Sequence, residues 1–124
     1  MAQPRTNKRR SERINAALPV VWVRRDRRDE IRTTDISYEG MFLLSDELLE
    51  PNQLMQLEVQ LPDGKPLLVF AATRFCGRSM AGSGMGVQIY VISDSDRRRW
   101  LTFYRSLLKN RQSTTGSAMF AAGA

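Results

Sequence analysis

Residues 56–75 read QLEVQLPDGKPLLVFAATRF, and this stretch decides the fold. Leu57, Val59 and Leu61 alternate with Gln56, Glu58 and Gln60, the period of two that marks a half-buried strand. Pro62-Asp63-Gly64-Lys65 is a turn signal, with glycine where φ turns positive. The chain returns through an apolar run, Leu67 to Phe75. Two strands joined by a tight turn make an antiparallel hairpin, and the segments on either side repeat the pattern.

Upstream, Pro19 to Arg25 is β-rich and apolar on both faces, with Val20 and Trp22 alternating with Val21 and Val23. The charged cluster Arg24 to Glu30 reads as an exposed hairpin end. Glu30 to Thr34 and Met41 to Leu44 are the next two strands, and Val87, Ile89 and Val91 mark the last. The run Gly82-Ser83-Gly84-Met85-Gly86 lacks the spacing of a phosphate loop and reads as a flexible lead-in to that last strand. Beyond it the period changes. Ser93 and Asp96 suit a capping box, and Trp100, Phe103 or Tyr104, Leu107 and Leu108 recur at helical spacing. Trp22 and Trp100 are expected in the core, and Arg97, Arg98 and Arg99 on the wet face of the helix. Six short strands and one terminal helix fit an antiparallel barrel flanked by that helix, or an open α+β sheet; periodicity does not separate them.

The 124 residues make one domain. The formal charge of +6 makes anions the natural partners: nucleotides, nucleic acid or an acidic protein surface. The chain contains no histidine, the commonest general base and metal ligand, and no nucleophilic constellation can be drawn, so an enzyme and a metal site are the least supported readings. The single cysteine, Cys76, is expected as a core or strand-end thiol. No apolar stretch approaches the roughly 20 residues that span a bilayer, and a cytoplasmic location with no membrane insertion is expected. Residues 1–8 are expected to form a flexible basic arm, 9–111 the folded domain, and 112–124 a disordered tail.

Two constellations carry the functional reading. Arg9 and Arg13 form RxxxR in the basic N-terminal segment, and Asp35, Ser37 and Gly40 form DxSxxG between two strands. One supplies forked cationic donors; the other supplies a carboxylate, a hydroxyl and a permissive backbone. Together they suit a compact anionic ligand with guanine edges, because a guanidinium binds guanine O6 and N7, or a phosphate, through two parallel hydrogen bonds. RxxxR alone is weak, since Arg5 with Arg9 and Arg24 with Arg28 repeat it, and solvated charge is its bland alternative. Asp35 and Ser37 could equally be turn formers bonding their own backbone.

The order RRSER, strand, DISYEG, strand MFLL, then GMGVQIYV and a terminal helix resembles the PilZ domain family over about residues 8–110. The resemblance implies a six-stranded antiparallel β-barrel with a C-terminal α-helix that binds the bacterial second messenger cyclic di-GMP. It further implies that Arg9 and Arg13 grip guanine and phosphate, Asp35 accepts from guanine N1 and N2, Ser37 adds a hydroxyl bond, and Gly40 lets the backbone approach. Lys8 and Arg10 are additional candidates, and their charge favours two stacked ligands per protein. No further cofactor is implied. The expected protein is a receptor whose arm orders on binding and signals to an unidentified protein partner, with no specific nucleic-acid target. The alternative is a PilZ-like adaptor that works through protein contacts without the nucleotide.

Overall fold

The computed structural model describes residues 11–123, with side chains through residue 110. Seven strands follow one another: β1 (Ile14–Asn15), β2 (Pro19–Val23), β3 (Arg28–Ile36), β4 (Gly40–Leu44), β5 (Leu54–Gln60), β6 (Pro66–Ser79) and β7 (Gly82–Ile92). One helix, α1 (Asp94–Gly123), completes the order. All pairings are antiparallel, in the sequence β3-β2-β5-β6-β7-β4, and β4 pairs back onto β3. That last pairing closes six strands into a barrel and rules out the open sheet. The two-residue β1 pairs with the end of β3, along the edge that β2 occupies farther back. It is too short to leave a periodic signal.

Alternation sorts each strand into an inward and an outward face. Leu57 and Val59 are fully buried, and Val20 and Trp22 nearly so, while Val21 and Val23 are half-buried. The Asp63–Lys65 turn forms as its sequence requires, with Gly64 at φ +91°. Two threonines, Thr33 and Thr73, are buried in this apolar interior, each tying an irregular segment to the barrel. Thr33 Oγ1 donates to Ala16 O and accepts from Leu18 N at 2.9 Å, fixing the link between β1 and β2. Thr73 Oγ1 donates to Glu50 O and accepts from Gln53 N at 3.0 Å, fixing the approach to β5.

Several elements differ from the sequence reading. The glycine run 82–86 is part of β7 and pairs with a β6 that continues to Ser79. At two positions glycine serves packing: a Cβ on Gly84 would strike Leu43 O and the Phe42 ring, and one on Gly86 the Phe75 ring. The two phenyl rings, 6.3 Å apart, cover the outer wall that the glycines leave bare. Cys76 is exposed on the β6 extension, outside the core, with its thiol 3.3 Å from Leu49 O.

Helix α1 starts as expected, with Asp96 N donating to Ser93 Oγ at 3.1 Å. The Asp96 carboxylate does not return to the cap, however. It accepts from Leu68 N at 3.2 Å and from Arg99 at 3.1 Å. Arg99 is therefore not on the wet face: it also reaches both Asp63 carboxylate oxygens at 3.0 Å and Lys65 O at 2.6 Å, stapling the helix to the β5–β6 turn. Trp100 and Tyr104 are buried, as the spacing predicts. The helix continues through the 112–123 segment to Gly123. That segment contains no proline, and extending an existing helix avoids the cost of a new nucleus. At the other end of the barrel Arg24 stacks 3.7 Å over the Trp22 ring and forms a two-pronged pair with Glu47 at 2.7 and 3.0 Å. Among the described residues no helix is long and apolar enough to cross a membrane.

Candidate functional site

Arg13 of the first constellation meets the second on the outer wall at β1, β3 and β4. Asp35 is the next-to-last residue of β3, opposite Phe42 on one side and Asn15 on the other. Its neighbour Ile36 is fully buried, so Asp35 faces outward, and its side chain is 22% exposed. Arg13 lies just before β1, and its Nη1 stands 3.7 Å from Asp35 Oδ1. The Asp35 carboxylate also accepts from Thr34 Oγ1 at 3.0 Å. A guanidinium and a carboxylate from motifs 22 positions apart are thus neighbours, on a half-open surface where a ligand can reach both.

Ser37 and Gly40 bound the turn between β3 and β4. Ser37 N donates to Gly40 O at 2.8 Å, and Ser37 Oγ sits 3.5 Å from the same carbonyl. The conformation of Gly40 is not left-handed, as the positive-φ glycines are Gly64 and Gly82. Its requirement is space: a Cβ there would strike Val87 O and come within 3.1 Å of Gln88 Cα. Gly40 therefore lets β4 press against β7 at the mouth of the turn, a packing role that the motif alone does not reveal.

Sequence reasoning missed what holds this turn. Ser11, between the two arginines of RxxxR, accepts from Tyr38 N at 2.9 Å and donates to Glu39 Oε1 at 2.5 Å. Trp100 Nε1 donates to Tyr38 O at 2.9 Å, and Ile89 N donates to Glu39 O at 2.8 Å. Tyr104 OH donates to Glu12 O at 2.6 Å, and its ring lies 6.4 Å from that of Tyr38. Ile14 is buried in the core opposite Ile36. The arm from Ser11 onward is therefore already seated on the barrel, and Arg13 with it. Arg9, with the further candidates Lys8 and Arg10, lies outside the described residues.

A cavity adjoining the turn, lined by Tyr38, Glu39, Gln88, Ile89 and Arg97 among others, measures about 120 Å³.

The described residues thus form a closed antiparallel barrel, capped by a helix and carrying an arginine beside a turn carboxylate on its outer wall. The family model for the PilZ domain matches residues 7–106, and the chain belongs to the PilZ domain family. Solved structures share the fold. YcgR in complex with c-di-GMP from Escherichia coli superposes with a TM-score of 0.74 at 19% identity, over 90% of this chain and 50% of that one. The Bacillus subtilis inhibitor of motility MotI/DgrA gives 0.71 at 17% identity, over 86% of this chain and 52% of that one. The separate PilZ domain of Escherichia coli YcgR with c-di-GMP gives 0.69 at 16% identity, covering 88% and 98%. This chain spans about half the length of the first two proteins. Comparison with curated protein sequences finds no match.

Proposed function

We propose that this chain is a cyclic di-GMP receptor that uses Arg9, Arg13, Asp35, Ser37 and Gly40, with Lys8 and Arg10 contributing charge. The observation that carries the reading is the apposition of Arg13 and Asp35 at 3.7 Å on an exposed wall, in a chain of the family to which c-di-GMP-bound YcgR belongs. Guanine offers two donors at N1 and N2, which a carboxylate accepts together, and an O6/N7 pair, which an arginine fork donates to. Asp35 and the two arginines present both kinds of group. The phosphodiesters carry the remaining charge, which a chain of formal charge +6 attracts.

In this reading the segment before Ser11 closes over ligand already resting on the wall. Two stacked ligands bring four negative charges together, and Lys8 and Arg10 favour that pair. Ordering the segment costs roughly 1–2 kcal/mol per residue fixed, so the closed form is scarce until ligand is present. Closure changes the surface near the N-terminus and offers a protein partner something to recognise, without catalysis by the domain itself. Equilibrium binding of labelled cyclic di-GMP, with unlabelled cyclic di-AMP and GTP as competitors, tests the proposal. Displacement by cyclic di-GMP far ahead of cyclic di-AMP supports it, because adenine places a donor at N6 where guanine has the O6 acceptor. Absence of binding at high protein concentration rejects it in favour of the adaptor.

A further inference from the structure

The outer wall of β5, β6 and β7 carries an apolar surface that the core does not use. Leu54, Leu68, Tyr90 and Val91 are each more than half exposed, and Phe70 is 42% exposed. Strand register makes them one patch. Phe70 lies opposite Val91, Leu54 lies opposite Ala72, and Tyr90 is the extra residue where the β6–β7 register shifts. Leu67, Val69 and Ala71 of the same strand are buried inside. β6 is thus apolar on both faces, the pattern of a strand covered on both sides, yet its outer face is bare. The five side chains expose on the order of 500 Å² together, at the upper end of what one patch on a soluble monomer leaves uncovered.

The same wall carries few charges, although the chain as a whole carries +6. The outward neighbours of the patch are Gln56, opposite Phe70, Gln88, opposite Ala72, and, at one end of it, the exposed Arg74 of β6. Glu58, opposite Leu68, is neutralised by Arg28 at 2.5 Å. An acidic or a basic partner would find little to pair with here. A second copy of the chain finds an apolar face whose one nearby exposed cation from β6, Arg74, stands at its end and not among Phe70, Tyr90 and Val91. Residues 1–10 are poor cover for it, since they include Arg5, Lys8, Arg9 and Arg10.

We propose that the β5–β6–β7 wall is the contact surface for a second copy of the chain, packed sheet on sheet about a two-fold axis. In such an arrangement one patch serves both partners. Aligned sheets interdigitate at about 10 Å, with Phe70, Tyr90 and Val91 as central anchors. The apolar area plus a polar rim reaches the roughly 800 Å² per partner of a specific interface, and the neutral glutamines supply rim hydrogen bonds. The proposal does not depend on nucleotide binding.

Sedimentation equilibrium on the full chain, from low to high micromolar protein, tests it. The mass is expected to rise from 14.2 kDa toward twice that value. Phe70→Glu and, separately, Val91→Lys should hold 14.2 kDa across the range while melting like wild type. Two variants are used because either one could disturb its strand. Arg13→Ala should dimerise as wild type does. A wild-type mass fixed at 14.2 kDa, or a dimer that survives both wall substitutions in folded protein, overturns the proposal.

Discussion

Ser11 and Glu39 lie 28 residues apart, yet the Ser11 hydroxyl donates to the Glu39 carboxylate at 2.5 Å while accepting from Tyr38 N at 2.9 Å. One hydroxyl thereby joins the interior of RxxxR to the interior of DxSxxG. Two motifs that read as separate ligand groups form one mechanical unit, with Trp100 and Tyr104 gripping it from the helix.

Ser11→Ala removes both bonds at once. Each part-buried bond is worth about 1 kcal/mol, so the melting temperature should fall by several degrees and ligand affinity should fall several-fold. Glu39→Gln keeps a carbonyl acceptor for the hydroxyl and should bind within a factor of about two of wild type. Stopped-flow measurement separates the effects: the Ser11 variant should release ligand faster with little change in association. Unchanged release would show that the latch plays no part in holding the site.

Gly40→Ala should behave differently from any change to a ligand-facing side chain. Its Cβ would strike backbone, Val87 O, which cannot rotate away. Overpacking of this kind typically costs about 1–3 kcal/mol, so melting temperature and affinity should fall together. Thermal denaturation beside a binding isotherm checks it; lost affinity at full stability would make Gly40 a contact residue only.

Acid should loosen the two ends of the barrel. The Arg24 guanidinium, bonded to Glu47, holds that carboxyl below its usual range. Asp63 is held low by the Lys65 amide first and by Arg99 next. Groups whose folded pKa is depressed add stability above their unfolded pKa and lose it as pH falls through the folded value. Glu47→Gln and Asp63→Asn should therefore melt below wild type at neutral pH, and the gap should close below the ordinary carboxylate range. Both carboxylates are exposed, so each effect should be modest and shrink with added salt. A gap that widened in acid would contradict the assignment.

Period-two alternation at Leu57, Val59 and Leu61, and the Asp63-Gly64 turn, made the antiparallel strands legible because burial on one face writes itself into a strand. Closure was not legible: it depends on β3 meeting β4, a relation between segments that no local pattern encodes. The glycines of β7 read as flexibility because glycine's two uses, conformational freedom and close approach, look alike in sequence; only the Phe42 and Phe75 rings above them distinguish the second. Arg99 read as solvated charge for the same reason, since its partner Asp63 sits 36 positions away. At the site, the arginines, Asp35, Ser37 and Gly40 stood out by motif. Ser11, Glu39, Trp100 and Tyr104 did not, because their work is done through hydrogen bonds to distant backbone and side-chain groups.

Calorimetric titration of the wild-type chain and of Arg13→Ala with cyclic di-GMP tests the central claim most directly. Arg13 is 57% exposed and its ion pair with Asp35 is long, so its loss should leave the melting temperature nearly unchanged. Wild type should give saturable heat with a Kd at micromolar or below, about −8 kcal/mol or better, and a ratio of two ligands per chain. The folded variant should give none at the same concentrations. Equal heats from the two proteins, or no heat from wild type, would contradict the account.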